Sequence, residues 1–238
     1  MAVSVHTDRC DRETAVTRSL LGYGILAGPC YLIAGLIEAS TRQGYRIAHH
    51  DLSLLANGPL GWIHITVLVV TGVMVLAAAT GLRRALAGQP GGAWGPGLIG
   101  GYGLGLIAAG VLIADPMNGF PTGTPAGKPV HPTLHGTGHL IAGAVGFGCL
   151  IAAMFLFAWA FRRANRPGWA WYSLVSGIVF LAGWVGIATG SDSAVIVLAF
   201  WVAVAAGFAW LAAVSAALYR ALAPAREALS PSREGAPQ

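Results

Sequence analysis

The stretch AVIVLAFWVAVAAGFAWLAAVSAALY, residues 194–219, runs for 26 residues without a charged side chain. A helix needs about 20 mostly apolar residues to cross the roughly 30 Å hydrocarbon core of a bilayer. Five further apolar stretches of comparable length precede it. These stretches are Leu20–Ala39, Gly61–Leu82, Gly95–Ala114, Gly138–Phe161 and Trp169–Gly190. The sequence therefore predicts an all-α, polytopic membrane protein built as a six-transmembrane-helix bundle.

The composition of the whole chain agrees with this class. Of the 238 residues, 55% are hydrophobic and only 10% are charged, whereas an ordinary soluble domain has roughly 25% charged residues. No segment shows the apolar/polar alternation of about 10 residues that is typical of a membrane barrel. The third span carries Gly97, Gly101 and Gly105 at intervals of four, which predicts that one of its faces packs closely against a neighbouring helix.

The basic residues indicate how the bundle is oriented. With a cytoplasmic N-terminus, eleven arginines lie inside and three basic residues lie outside, which fits the positive-inside rule. We therefore expect a multi-pass protein of the plasma (inner) membrane with both termini in the cytoplasm. The inside set is Arg9, Arg12, Arg18, Arg83, Arg84, Arg162, Arg163, Arg166, Arg220, Arg226 and Arg233, and the outside set is Arg42, Arg46 and Lys128.

This orientation divides the chain into three parts. Residues 1–18 are predicted to be a cytoplasmic tail, residues 19–220 the transmembrane domain, and residues 221–238 a disordered cytoplasmic tail. The arginine bias also explains the net charge of +5. Because no basic stripe is interleaved with aromatic residues, as it is in single-strand binders, the expected partner is the lipid bilayer and not nucleic acid.

A polar insert, DPMNGFPTGTPAGKPVHPTLHGTGH, residues 115–139, separates the third and fourth spans. Asp115-Pro116 is expected to end one helix, because a residue before proline is disfavoured in the helical region. His131-Pro132 resembles a helix start, where proline is tolerated. From there His131, His135 and His139 recur every four residues and would share one face of a helix. The pattern predicts that His135 and His139 turn toward Asp115 on the extracytoplasmic side.

The loop between the first two spans carries a second group of polar residues. Asp51 is expected to cap a short helix that begins in DLSLL, and Ser53 follows within it. Trp62 and His64 open the second span near the outer surface. Together with His131, these four residues are predicted to line an outer ligand pocket.

Three interpretations of Asp115, His135 and His139 remain open. Imidazoles and a carboxylate are suitable ligands for a divalent metal such as zinc, and a metal site of this kind would activate water for hydrolysis. The same residues would also suit a polar pocket without a metal. In the third interpretation the histidines pair with Asp115 and with loop carbonyls, and they only hold the loop in place.

Three motifs together resemble a known family. They are HHDLSLLANGPLGWIH (residues 49–64), DPMNGFPTGTP (residues 115–125) and HPTLHGTGH (residues 131–139), and the resemblance is to the bacterial integral-membrane family called domain of unknown function 998. It implies a six-span protein and no particular activity. The positions that match the family's pattern are Asp51, Ser53, Trp62, Asp115, Pro116, Gly119, Pro121, His135, Gly136 and His139.

Two functions follow as hypotheses. The first is an integral membrane protein that binds a lipid or a small hydrophobic ligand in an outer Asp/His pocket. The alternative is a membrane-embedded hydrolase or lipid-modifying enzyme, with or without a metal, in which Asp115, His135 and His139 are catalytic. A transporter ranks below both, because the spans carry no interrupted helix pair and no midplane charge.

Overall fold

The computed structural model describes residues 2–222, and their side chains from residue 12 onward. Within this range the chain is all-helical, without a β-strand, and has a single 3₁₀ helix at Leu52–Ala56. The six α-helices are α1 (Ala2–Thr41), α2 (Gly61–Ala85), α3 (Gly95–Val111), α4 (Leu134–Arg163), α5 (Pro167–Ala188) and α6 (Ala194–Ala221).

Five of these helices are long and apolar enough to cross a membrane, and α3 is a shorter apolar helix of 17 residues. The apolar helices indicate a multi-pass membrane protein. Helix α1 extends back to Ala2 through the segment predicted as the cytoplasmic tail, although only Arg12–Thr41 qualifies as a span. The predicted disordered tail, residues 221–238, lies almost entirely outside the described residues.

The helices form a closed ring in chain order. Each helix packs against the next, and α6 packs back against α1. We call the end of the ring with loops 42–60, 112–133 and 189–193 the cap end. The opposite end, with loops 86–94 and 164–166, is the terminal end.

Small residues allow the closest helix approaches. A Cβ on Gly105 of α3 would lie 2.6 Å from the Cα of Gly146 in α4, and one on Gly101 would lie 2.8 Å from the sulfur of Cys149. The predicted close face of the third span is therefore confirmed at these two glycines. It is not confirmed at Gly97, where an added Cβ would meet nothing within 4 Å. Such contacts bring membrane helices together by van der Waals packing.

The half of the bundle nearest the terminal end is filled with large side chains. Met154 and Trp210 are fully buried, and Phe157 is 2% exposed. The Phe157 ring meets the Trp210 ring edge to face at a centroid distance of 5.5 Å. Because the Trp210 indole N–H donates to the Ser173 hydroxyl at 3.0 Å, the polar atom of this buried residue is satisfied.

Candidate functional site: a cavity beneath the cap

The short 3₁₀ helix of loop 42–60 is capped as the sequence predicts. The Asp51 carboxylate accepts hydrogen bonds from the Ser53 hydroxyl at 2.7 Å and from the Leu54 amide at 3.3 Å. The Tyr45 hydroxyl is within 2.9 Å of the carbonyls of His50 and Asp51. Burial, and then the Asp51 charge, raise the pKa of Tyr45, so this phenol stays protonated and donates. The loop is therefore an ordered part of the cap.

His50 connects the two long loops. Its Nδ1 accepts from the Arg46 amide at 2.9 Å, so Nε2 carries the proton and donates to the Asn118 carbonyl at 2.9 Å. The residue is 1% exposed. Burial lowers the pKa of His50, and the bond to Asn118 opposes that shift only in part. The Trp201 indole N–H donates to the His50 carbonyl at 3.3 Å, which joins α6 to the same point.

Two further contacts attach the loops to the α5–α6 connection. His49 Nδ1 lies 2.8 Å from the Asp192 carbonyl, and the Lys128 ammonium donates to the Thr189 carbonyl. The N-cap of α6 is Ser193, and no side chain bonds to the first amides of this helix. These contacts therefore connect the three loops of the cap end to one another.

Asp115 anchors the start of α4. Its carboxylate accepts from the Thr133 amide at 2.9 Å and from the Thr133 hydroxyl at 2.6 Å. The Thr133 oxygen in turn accepts from the Gly136 amide at 2.9 Å, which makes Thr133 the N-cap. The helix therefore begins at Leu134, so His131 lies before it and does not continue the face of His135 and His139.

The three predicted catalytic or metal-binding side chains do not form one cluster. His139 Nδ1 lies 3.0 Å from the Ala109 carbonyl and 2.8 Å from the Leu112 carbonyl. It must donate to these oxygens, which leaves Nε2 as an acceptor. His135 is exposed. Within residues 12–222 no three His, Cys, Asp or Glu side chains are placed to hold a metal ion, so the zinc hypothesis has no geometric support.

A buried contact between a carboxyl group and an imidazole joins α1 and α2. His64 Nδ1 lies 3.0 Å from the Glu38 carboxylate, with His64 fully buried and Glu38 6% exposed. Arg42 is 4.0 Å from the other Glu38 oxygen. Neither that oxygen nor His64 Nε2 has a hydrogen-bond partner in the described chain. Unpaired buried groups are costly, and ionisable groups at membrane depth are candidates for function.

A cavity of about 510 Å³ lies inside the ring beneath the cap. At the cap end its wall includes Asp51, Asp115 and Lys128. Farther in, its wall is apolar and contains Leu106 and Phe147. From Gly136 to Phe147 the lining of α4 spans twelve residues, or about 16 Å along the helix, so the cavity reaches well into the bundle.

Four of the predicted site residues line this cavity, namely Asp51, Ser53, Asp115 and His139. The other four predicted positions, Trp62, His64, His131 and His135, do not contribute to its wall. Trp62, 63% exposed, lies on the outside of α2. Sequence reasoning missed Tyr31 and Tyr102, which line the cavity from α1 and α3, because a tyrosine within an apolar helix gives no signal of its own.

The comparisons with known proteins give one match. Neither the curated proteins nor the solved structures contain a match to this chain. The family described as "Protein of unknown function (DUF998)" matches residues 25–217, a range that includes every cavity-lining residue named above. The chain therefore belongs to the DUF998 family.

Proposed function

We propose that this protein binds a lipid or a small hydrophobic ligand in the cavity beneath the cap. The supporting observation is the lining of the cavity, with charged side chains at the cap end and apolar ones deeper in. Its volume of about 510 Å³ falls within the roughly 300–1,000 Å³ typical of ligand pockets. An amphiphile would place its polar group beneath the loops and its chain between the helices.

The proposal includes the topology predicted from the sequence. The chain crosses the plasma membrane six times, with both termini in the cytoplasm and the cap on the extracytoplasmic side. The 17 residues of α3 are at the short limit for a span, and the closed ring gives α3 a place between two spanning neighbours. Reporter fusions to loop 112–133 and to the C-terminus test this arrangement, which predicts opposite sides of the membrane.

Binding would be tested with a 1-bromoalkane series that quenches tryptophan fluorescence, since Trp184 lines the cavity. Each methylene transferred from water into the cavity contributes about 0.8 kcal/mol, so affinity expressed against the free aqueous ligand should rise about fourfold per carbon until the cavity is full. A Trp184→Phe variant should remove the component of the quenching that saturates as the cavity fills, and leave the quenching of the exposed tryptophans. A series in which chain length has no effect would contradict the proposal.

A matched pair of variants locates the binding site. Gly143 lines the cavity, and a Cβ there would meet only Phe147, at 3.9 Å. Gly148 of the same helix is outside the cavity lining, and an added Cβ there would meet nothing within 4 Å. Gly143→Phe should lower bromoalkane affinity at least tenfold, while Gly148→Phe should leave it unchanged.

The hydrolase alternative would use Asp115, His135 and His139. We rank it second because the Asp115 carboxylate is bonded to Thr133, and because His135 does not line the cavity. Asp115 and His139 do share the cavity wall. The test is whether the purified protein releases fatty acid or headgroup from membrane lipids. If it does, and His139→Ala abolishes that activity, the ranking is reversed.

A further inference from the structure

Two tyrosines line the deep end of the cavity. Tyr31 of α1 is 6% exposed, Tyr102 of α3 is 2% exposed, and both line the cavity. Their rings pack against the same side chain, Phe208 of α6, at centroid distances of 5.3 and 5.9 Å. Tyr102 lies seven residues, or about 10 Å along the helix, farther from the cap than Ala109, another lining residue.

Neither tyrosine hydroxyl has a partner in the protein. Among residues 12–222 neither phenol oxygen forms a hydrogen bond. Neither oxygen belongs to the fully inaccessible polar atoms that lack a partner, so each has accessible surface. Both hydroxyls are therefore open to the cavity. A buried tyrosine hydroxyl normally finds a partner, and here the cavity is where that partner would lie.

The surroundings restrict the chemistry of that partner. The charged residues of the cavity wall, Asp51, Asp115 and Lys128, all belong to the loops of the cap end. The deep end has apolar neighbours such as Leu68 and Val204. His64, whose ring centroid lies 5.8 Å from that of Tyr31, is already paired with Glu38, so a charged group would lie there without a free counter-ion. A carbonyl oxygen is neutral and has two lone pairs, so it can accept hydrogen bonds from tyrosine hydroxyls without a counter-ion.

From these observations we infer that the deep end of the cavity binds a neutral carbonyl group, as in an ester or ketone, through the hydroxyls of Tyr31 and Tyr102. The inference rests on the proposed function and adds the chemical class of the ligand. The occupant is then an uncharged lipid with an oxygen function in its buried part, and a bare hydrocarbon chain would leave both hydroxyls unsatisfied.

The test compares 2-pentadecanone with pentadecane, a pair that differs only in the carbonyl group. Each competes with the bromoalkane for the full-length protein in detergent, and affinities are expressed as mole fractions in the detergent phase. We expect the ketone to bind about tenfold more tightly than the alkane. In Tyr31→Phe/Tyr102→Phe the two affinities should agree within about twofold.

Tyr23→Phe is the control, because Tyr23 lies on the same helix as Tyr31 and is 47% exposed; it should keep the tenfold preference. Equal binding of ketone and alkane by the unmodified protein would overturn the inference and leave the proposed function standing. Failure of both probes to compete would overturn the proposed function and the inference with it. The comparison of probes in the unmodified protein does not depend on whether the double variant folds.

Discussion

The two halves of the bundle are held together in different ways. Near the terminal end, Met154, Phe157 and Trp210 are almost completely buried and fill the space between helices. Near the cap end, the ring encloses a cavity and is joined by hydrogen bonds from loop residues such as His50 and Asp115. Because the close-packed terminal half holds the six helices together, the cap half can enclose a polar cavity.

This difference has a physical reason. Helices in a bilayer associate through close packing and interhelical hydrogen bonds, since lipid tails are as apolar as the side chains. The terminal half uses packing and the cap half uses polar contacts. Variants in the terminal half should therefore lower stability without changing ligand binding, whereas variants in the cap half change the polar contacts around the cavity.

The largest effect is expected in the cap half, at the Glu38–His64 pair. His64→Leu removes the contact at 3.0 Å and leaves the buried Glu38 side chain only Arg42, 4.0 Å away, so it should lower the free energy of unfolding by about 4 kcal/mol, measured by SDS titration. The double variant Glu38→Gln/His64→Leu removes the charge as well and should recover most of that loss. A double variant as unstable as the single one would show that the pair is not the cause.

A slightly smaller loss is expected in the terminal half. Phe157→Ala creates a void beside Trp210 and should cost about 3 kcal/mol in the same titration, without changing bromoalkane affinity. Val145→Ala, on the same helix but 59% exposed, is the matched control and should cost far less. Weakened binding in a Phe157→Ala protein that remains folded would contradict the separation of the two halves.

The anchor of α4 should matter less. Asp115→Ala removes two hydrogen bonds to Thr133 and should cost about 2 kcal/mol, with faster hydrogen exchange in loop 112–133. Thr133→Ala should act similarly, and the double variant should cost less than the sum of the two, because both changes remove the same contact. If the stability losses of the two single variants simply added in the double variant, that would count against this anchor. Loss of an activity in Asp115→Ala alone would support a catalytic aspartate.

The smallest effect is a dependence on pH. His50 is bound as the neutral ring, so the unfolded chain takes up a proton at a higher pH than the folded one. Stability from this group is complete above the unfolded pKa of about 6.5 and falls as the pH drops toward the lowered folded pKa. Hydrogen exchange in loop 112–133, corrected for intrinsic rates, should accelerate between pH 7.5 and 5.5, and His50→Gln should remove that change.

The fold was largely predictable because it depends on local signals. Apolar stretches of sufficient length gave all six helices, and aspartate chemistry gave the Asp51 cap before Leu52. The errors in the prediction concern the ends of the helices. The residues after Val111 leave the helix before Asp115 is reached, and α4 starts at Leu134 because Thr133, rather than His131, satisfies its first amides.

The site was predictable only in part. Asp51, Ser53, Asp115 and His139 do line the cavity, but the pairing of Asp115 with Thr133 was not foreseen. His139 bonds to the carbonyl of Leu112 in loop 112–133, as one interpretation expected, and also to that of Ala109 in α3, and a backbone carbonyl carries no residue-specific signal. Glu38 and His64 are 26 residues apart, and they meet only because loop 42–60 returns the chain along α1.

The closed ring has a consequence for the order of the chain. Arg18 lies over the Tyr219 ring at 4.4 Å, so the first and last helices are neighbours at the same end of the bundle. A linker could join them, and new termini could be opened in the glycine-containing loop 86–94, without separating any pair of packed helices. Such a circular permutant would make α3 the first helix to be synthesised, yet it should reach the same bundle.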